Sequence, residues 1–349
     1  MTMKAWRVHE WGSPATDVLQ LDTVDIPEPG DGELLVKNSA IPLNLNDMER
    51  ITGGNMMVTP ELPLIPGMEV MGIVEACGGG TAAWQGKSVI AMPRGANGGY
   101  AEYTVCPVVS AFEIPSELPL PDAAALYFPF HLAWLGLFDR AQLQAGETVL
   151  IHAAAGGSGS AAIQLAVHAG ARVFATVGAA EKTALCEKLG AEVVINYNDV
   201  DFAEVVMEKT NNKGVDVVFD NLGEAVMDRS MHCIAYNGRY LMMGFASDKT
   251  HADKKLVVPR RVSAGNFRLC GVLLAYAPDA VAPLMKQGMG WNFCSDQLGK
   301  KITNEIVSLY QSGKIQPAIG NVVEFDAIPS EIQALFDRKT VGRSIAKLY

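Results

Sequence analysis

Cysteine is sparse and scattered in this chain: Cys77, Cys106, Cys186, Cys233, Cys270 and Cys294 contain no CxxC pair. Such spacing argues against a disulfide framework and predicts reduced thiols in a cytoplasmic protein. Long apolar runs are missing too. No window approaches the ~18 uninterrupted apolar residues of a spanning helix. The opening MTMKAWRVHEWG lacks the apolar stretch of a secretory signal. Positive charge is in short supply, with 28 Lys and Arg against 38 Asp and Glu, a net charge of −10. That disfavours a nucleic-acid or anionic-membrane partner, because phosphate binding needs a clustered positive surface. The histidines are few, and His9, His152, His168, His232 and His251 form no pair at metal-ligand or triad spacing.

What is present is a globular composition, 49% hydrophobic and 19% charged, over 349 residues. That length predicts two domains rather than one core. The first 120 or so residues are rich in glycine and proline with short apolar runs such as ELLVKNSAI, VMGIVEAC and SVIAM. Short strands between turn signals predict an antiparallel or barrel-like β domain. The alanine- and leucine-rich stretch ELPLPDAAALYFPFHLAWLGLFDRAQLQ suits a linking helix. From Glu147 onward, the β-branched run TVLIHA and the further strand-like stretches ARVFATV, EVVINY, GVDVVFD and GRYLMMGF alternate with helical segments. This rhythm predicts βαβ units and a doubly wound parallel sheet. LCGVLLAY reads as a last strand, LGKKITNEIVSLYQSGKI as an amphipathic helix and KTVGRSIAKLY as a closing strand.

The segment IHAAAGGSGSAAIQ places Ala153-x-x-Gly156-x-x-Gly159 between a strand and a helix. Small residues there let the backbone turn tightly and approach a pyrophosphate, with the helix N-terminus behind it. NAD-binding units place an acidic residue about 20 residues past these glycines to hold the ribose 2′-hydroxyl. Here Gly178 stands in that place and Lys182 follows, where a cation would meet a 2′-phosphate. Glu181 is adjacent but falls on the solvated face of a helix. The pattern predicts NADPH rather than NADH.

Together GETVLIHAAAGGSG, GARVFATVG, LGAEVVINY, GVDVVFDNLG, GRYLMMGFAS, GGYAEY and TVGRS resemble the zinc-free quinone oxidoreductase branch of the medium-chain dehydrogenase/reductase superfamily, the group that includes zeta-crystallin. The resemblance runs over essentially the whole chain. It implies a Rossmann NADP-binding domain, residues 125–295, inserted into a GroES-like, mostly antiparallel β-barrel catalytic domain, residues 1–124 and 296–349. It implies that Gly157 and Ser158 offer main-chain N–H groups to the pyrophosphate, and that Lys182, Tyr197 and Arg338 surround the 2′-phosphate. Asn221, Phe245 and Ser247 would line the nicotinamide, and Asn44 would face its ribose. Phe245 and the Met242–Met243 pair read equally as core. The resemblance also implies a homodimer paired through the last Rossmann strand, around FRLCGVLL, which covers an apolar edge.

Catalytic zinc needs three ligands drawn from Cys, His and carboxylates. Where zinc relatives carry Cys-x-x-Asp, Gly-His-Glu and a third ligand, this chain has Asn44-Leu45-Asn46-Asp47, Gly67-Met68-Glu69 and Phe128. The four-cysteine structural zinc lobe is missing as well. All three ligands are replaced together, which predicts a metal-free protein. Without a Lewis acid, the accessible acceptors are those that delocalise the hydride's charge themselves: quinones and conjugated carbonyls. The site would then orient the acceptor, exclude water and polarise its carbonyl.

Met56, Met57, Phe128 and Phe130 read either as apolar walls for a large hydrophobic acceptor or as core. Asn44 and His131 are the candidates for polarising or protonating the acceptor. A lone buried histidine is more often structural. The linking helix reads His131-Leu132-Ala133-Trp134 where quinone reductases often show Leu-Thr-Ala-Tyr, so Leu132 replaces a nicotinamide-facing threonine. The tyrosine of enoyl-thioester reductases is missing from TGGNMMVTPELP. A 2-alkenal or enoyl-thioester double-bond reductase is the enzymatic alternative. It would need a basic groove, for which only Arg94 and the run with Lys254, Lys255, Arg260 and Arg261 are available. A non-catalytic, crystallin-like NADPH-binding protein is the alternative of another class.

Overall fold

The computed structural model describes residues 1–54, 59–244 and 257–348. Met56, Met57, Phe245, Ser247, Lys254 and Lys255 therefore lie outside the described residues.

The β-branched runs after Glu147 assemble into a six-stranded, wholly parallel sheet. Its spatial order is Val193–Asn196, Arg172–Val177, Thr148–Ile151, Val215–Asp220, Ile234–Met242, Arg268–Gly271. Numbered along this sheet, that is 3-2-1-4-5-6, the doubly wound Rossmann order. Its switch point falls between Thr148–Ile151 and Val215–Asp220, where a crevice opens at the strands' carboxyl ends. A central strand covered by helices on both faces buries its side chains, so it is apolar throughout rather than alternating, whereas the edge strand Arg268–Gly271 is exposed at both ends. Thr148–Ile151 is buried at all four positions.

The glycine- and proline-rich N-terminal part forms a second sheet. Val70–Cys77 pairs antiparallel with Glu33–Leu43 and with Ser88–Ala91, and Tyr103–Pro107 also pairs with Glu33–Leu43. Arg343–Lys347, near the end of the sequence, joins the same sheet antiparallel to Glu33–Leu43, with Ile319–Glu324 outside it. Strands of this sheet thus lie on both sides of the parallel sheet in sequence, as the resemblance implied.

Two expectations for the elements need correction. The linking stretch is not one helix. It comprises a 3-10 turn at Ala123–Leu126, an α-helix at Phe128–Trp134 and a wider π turn at Leu135–Arg140. Tyr127 leaves the helical region (φ −88°, ψ −98°) just before Pro129, which is tolerated only in a first helical turn. The last parallel strand stops at Gly271, so the rest of LCGVLLAY continues as irregular chain.

Candidate nucleotide site and the pocket beside it

The first parallel strand ends at Ile151, and the chain turns through Ala153 (φ +50°) into the helix Gly157–His168. A Cβ at Gly159 would lie 2.4 Å from the Ala153 oxygen and 2.6 Å from the Ala154 Cα. Only glycine lets the helix sit this close to its own loop. The first-turn N–H groups have no carbonyl four residues back, and with the helix dipole they form an anion cradle. A Cβ at Gly157 would lie 3.0 Å from Arg343 Cδ, so the C-terminal strand passes directly beside this cradle. The Gly342 N–H donates to the Ala155 oxygen (2.9 Å), which ties the same strand to the loop.

Four expected residues meet at one exposed corner. The Tyr197 hydroxyl lies 2.3 Å from where a Gly178 Cβ would stand. Lys182, in the turn Ala180–Lys182, donates from Nζ to the Arg338 carbonyl at 3.1 Å. Glu181 is exposed to solvent.

On the other side of the switch point, Asp220 ends its strand and accepts from the Leu222 and Gly223 N–H groups, fixing the turn that carries Asn221. The Asn221 Nδ2 is buried with no partner among the described residues. A buried amide donor left open is costly, so it fits a ligand acceptor. Behind this turn, Tyr240 donates to Asp220 (2.5 Å), and the two nitrogens of His152 contact Ser230 (2.8 Å) and Thr176 (2.9 Å). Burial pushes His152 down to about 3, so it is a neutral bridge in the fold. Met243 is half-buried and packs on Gly136 of the linking segment.

The positions of the three zinc ligands converge on a different set of contacts. Glu69, fully buried, forms an ion pair with Arg343 (Nη2 to Oε2, 2.5 Å). The Asn44 Nδ2 donates to Glu69 (3.1 Å) and to the Pro42 carbonyl (3.3 Å), while Arg343 Nη1 donates to Asn44 Oδ1 (3.1 Å). The Phe128 N–H completes Glu69's shell at 3.0 Å. Asn44 therefore has both amide protons engaged and keeps only a lone pair on Oδ1 for a ribose hydroxyl. Below it Asp47 accepts from the Asn44 N–H, the Met68 N–H and the Tyr100 hydroxyl. Burial, the largest influence, raises the Asp47 carboxyl to about 6 and outweighs nearby Arg50.

This donor set does not fit zinc: an amide, a thioether and a phenyl ring stand where ligands would be needed. Among the described residues, no group of three His, Cys, Asp or Glu is arranged to hold a metal.

The structure argues against His131 as a proton donor. It is fully buried, with its ring nitrogens against the Tyr276 hydroxyl (2.8 Å) and Thr303 Oγ1 (3.2 Å). Burial lowers it to about 3, so it carries no proton to give near neutrality. Phe130 is also core, 2% exposed, and only Phe128 of the expected aromatic walls is partly open. Arg343 escaped the sequence reading. Its signal was a cation inside a strand, RSIAK, that is otherwise buried up to its last residue. All six cysteines are free, and burial pushes the Cys186 and Cys233 thiols up to about 12, so those two are inert. No helix among the described residues is long and apolar enough to cross a membrane.

A Rossmann sheet with a glycine cradle at its switch point, set between the strands of a GroES-like sheet, defines the medium-chain dehydrogenase/reductase class. Comparison with known proteins agrees. Residues 30–116 match the family model described as alcohol dehydrogenase GroES-like domain, and residues 157–287 the one described as zinc-binding dehydrogenase. Quinone oxidoreductase of Sus scrofa is 34% identical over 242 residues, covering 69% of this chain and 73% of that protein. A 2-haloacrylate reductase of Burkholderia sp is 34% identical over 243 residues, covering 69% and 72%. The solved structure of mycobacterial Rv1454c complexed with NADPH superposes with a TM-score of 0.84, at 31% identity and 99% coverage of both chains. This chain belongs to the quinone oxidoreductase-like branch of the medium-chain dehydrogenase/reductase superfamily.

Proposed function

We propose that this protein is an NADPH-dependent, zinc-independent reductase that passes hydride to a quinone or conjugated carbonyl acceptor. The observation that carries the reading is the Asn44–Glu69–Arg343 triangle, in which the amide at one metal-ligand position is held by an adjoining buried ion pair beside the nucleotide cradle. NADPH, when bound, supplies the hydride. In this reading Gly156, Gly157, Ser158 and Gly159 receive the pyrophosphate. Gly178, Lys182, Tyr197 and Arg338 receive the 2′-phosphate, and Asn221, Phe245 and Ser247 hold the nicotinamide. The open Asn221 donor and the absence of a carboxylate at position 178 support this assignment. So does the NADPH in the mycobacterial relative's structure. With no Lewis acid, the acceptor must spread the incoming charge itself, as quinones and conjugated carbonyls do. The pocket's task is orientation and exclusion of water, with Phe128 and Met56 as apolar walls.

The same reading places residues 1–124 and 296–349 in the catalytic domain and 125–295 in the cofactor domain. It makes the protein a cytoplasmic homodimer with no nucleic-acid or membrane partner, paired through Arg268–Gly271. That strand ends the parallel sheet with one neighbour, leaving an edge to pair with a second copy. The haloacrylate reductase relative favours a second reading, reduction of a conjugated C=C bond.

The test follows NADPH oxidation by chelator-treated protein against an aromatic ortho-quinone and a long-chain 2-enal, with product analysis. Quinone turnover supports the reading, and a saturated enal product moves it to a double-bond reductase. No turnover with either acceptor and either nicotinamide overturns it in favour of a non-catalytic NADPH-binding protein.

A further inference from the structure

Four separate segments meet at Arg343. Its stem lies against Gly157 in the first turn of the nucleotide helix, and its neighbour Gly342 is bonded to Ala155 in the same loop. Its guanidinium reaches the other way, into the GroES-like half, where one nitrogen engages Glu69 and another Asn44. Glu69 in turn holds the first N–H of the linking helix, at Phe128. The side chain is 6% exposed, and its Nε has no partner among the described residues.

A buried ion pair is an expensive way to fill a core, because apolar residues of like volume often stabilise as much or more. A guanidinium gives something that apolar filling lacks, a rigid fork that fixes two partners at once in a set geometry. Here those partners are Glu69 and Asn44, and the fork's stem lies against Gly157 in the first turn of the nucleotide helix.

We propose that Arg343 is a positioning residue that couples the nucleotide loop at Gly157 to Glu69 and Asn44, so that the ion pair sets the loop's competence for the dinucleotide. The inference rests on the NADPH reading above. The consequence is specific. Breaking the pair weakens ligands that span the pyrophosphate and leaves ligands confined to the Lys182 corner unaffected.

The experiment measures dissociation constants of NADPH and of adenosine 2′-monophosphate, which has no pyrophosphate, for the full-length protein. Glu69→Gln and Arg343→Lys are compared with the wild type, and melting temperatures are taken alongside. The expected result is NADPH binding weaker by about tenfold or more with adenosine 2′-monophosphate unchanged. Should a single variant fold poorly, Glu69→Gln/Arg343→Met removes both charges together. It is expected to melt close to the wild type and to show the same selective loss of NADPH affinity. Unchanged NADPH affinity, or an equal loss for both ligands, overturns the proposal. A wild type that binds no NADPH overturns the cofactor reading along with it, which separates the two failures.

Discussion

Two polar regions flank the nucleotide crevice, and they are built in opposite ways. At the corner formed by Gly178, Lys182, Tyr197 and Arg338, the side chains are exposed or half-buried, and three of the four come from one stretch of sequence. At the Asn44–Glu69–Arg343 triangle all three are buried, and Arg343 lies 299 and 274 residues from its partners. Exposed charges are screened and contribute little to stability until a ligand arrives. Removing one partner from an enclosed set is costly with or without a ligand, because it leaves the other charge buried and uncompensated. The first region is therefore expected to govern which cofactor binds, and the second whether the fold holds its shape.

Removing a partner from the closed region is the strongest way to break this contrast. Arg343→Ala leaves the Glu69 carboxylate buried without its cation and should lower unfolding free energy by about 3–5 kcal/mol. Denaturant midpoints at constant slope measure this, and a loss below ~1 kcal/mol would erase the distinction between the regions.

The next effect comes from Asp47, buried beneath the triangle with no ion pair among the described residues. Its carboxyl rises from an ordinary 3.8 to about 6 in the fold. The folded protein then binds this proton more tightly than the unfolded chain. The stability it brings is present below pH ~4 and is lost as pH rises to about 6, up to ~3 kcal/mol in all. Denaturation between pH 4 and 7 should show that decline in the wild type relative to Asp47→Asn. Parallel curves for the two would refute it.

In the open region Lys182→Ala should leave the melting temperature nearly untouched and cost NADPH about 1.5–3 kcal/mol of affinity, roughly 10- to 100-fold. NADH affinity should not change, and titration of both nucleotides decides it. An equal loss for NADH would mean that the corner does not read the 2′-phosphate. The smallest expected effect is that of chelation: dialysis against a strong zinc chelator should change neither melting temperature nor turnover, since the pocket's donors are an amide and a thioether.

The same contrast governs what was legible in the sequence. The parallel sheet could be read because its central strands are short apolar runs rich in Val and Ile that alternate with helical segments, both local patterns. Gly178 and Lys182 could be singled out as candidates because the ribose-facing position sits at a fixed offset from the glycine loop. Arg343 could not, since nothing in RSIAK names a carboxylate 274 residues away. His131 stayed a candidate proton donor beside its structural reading for the same reason. Its partners Tyr276 and Thr303 are 145 and 172 residues distant, and only the folded chain reveals that both nitrogens are engaged. The break before Pro129 was readable in principle but was masked by the alanine and leucine around it.

The contact between Tyr197 and Gly178 also bears on how such a protein could change its cofactor by mutation. An acidic residue at 178 is the direct step toward NADH, yet any Cβ there meets the Tyr197 hydroxyl at 2.3 Å. The aromatic ring is rigid and has few ways to retreat. A side chain at 178 therefore requires Tyr197 to move or shrink, and in the NADPH reading that disturbs the corner expected to hold the 2′-phosphate. In the NADPH reading, positions 178 and 197 are therefore expected to change together, and an acidic residue at 178 alone is the test of that coupling.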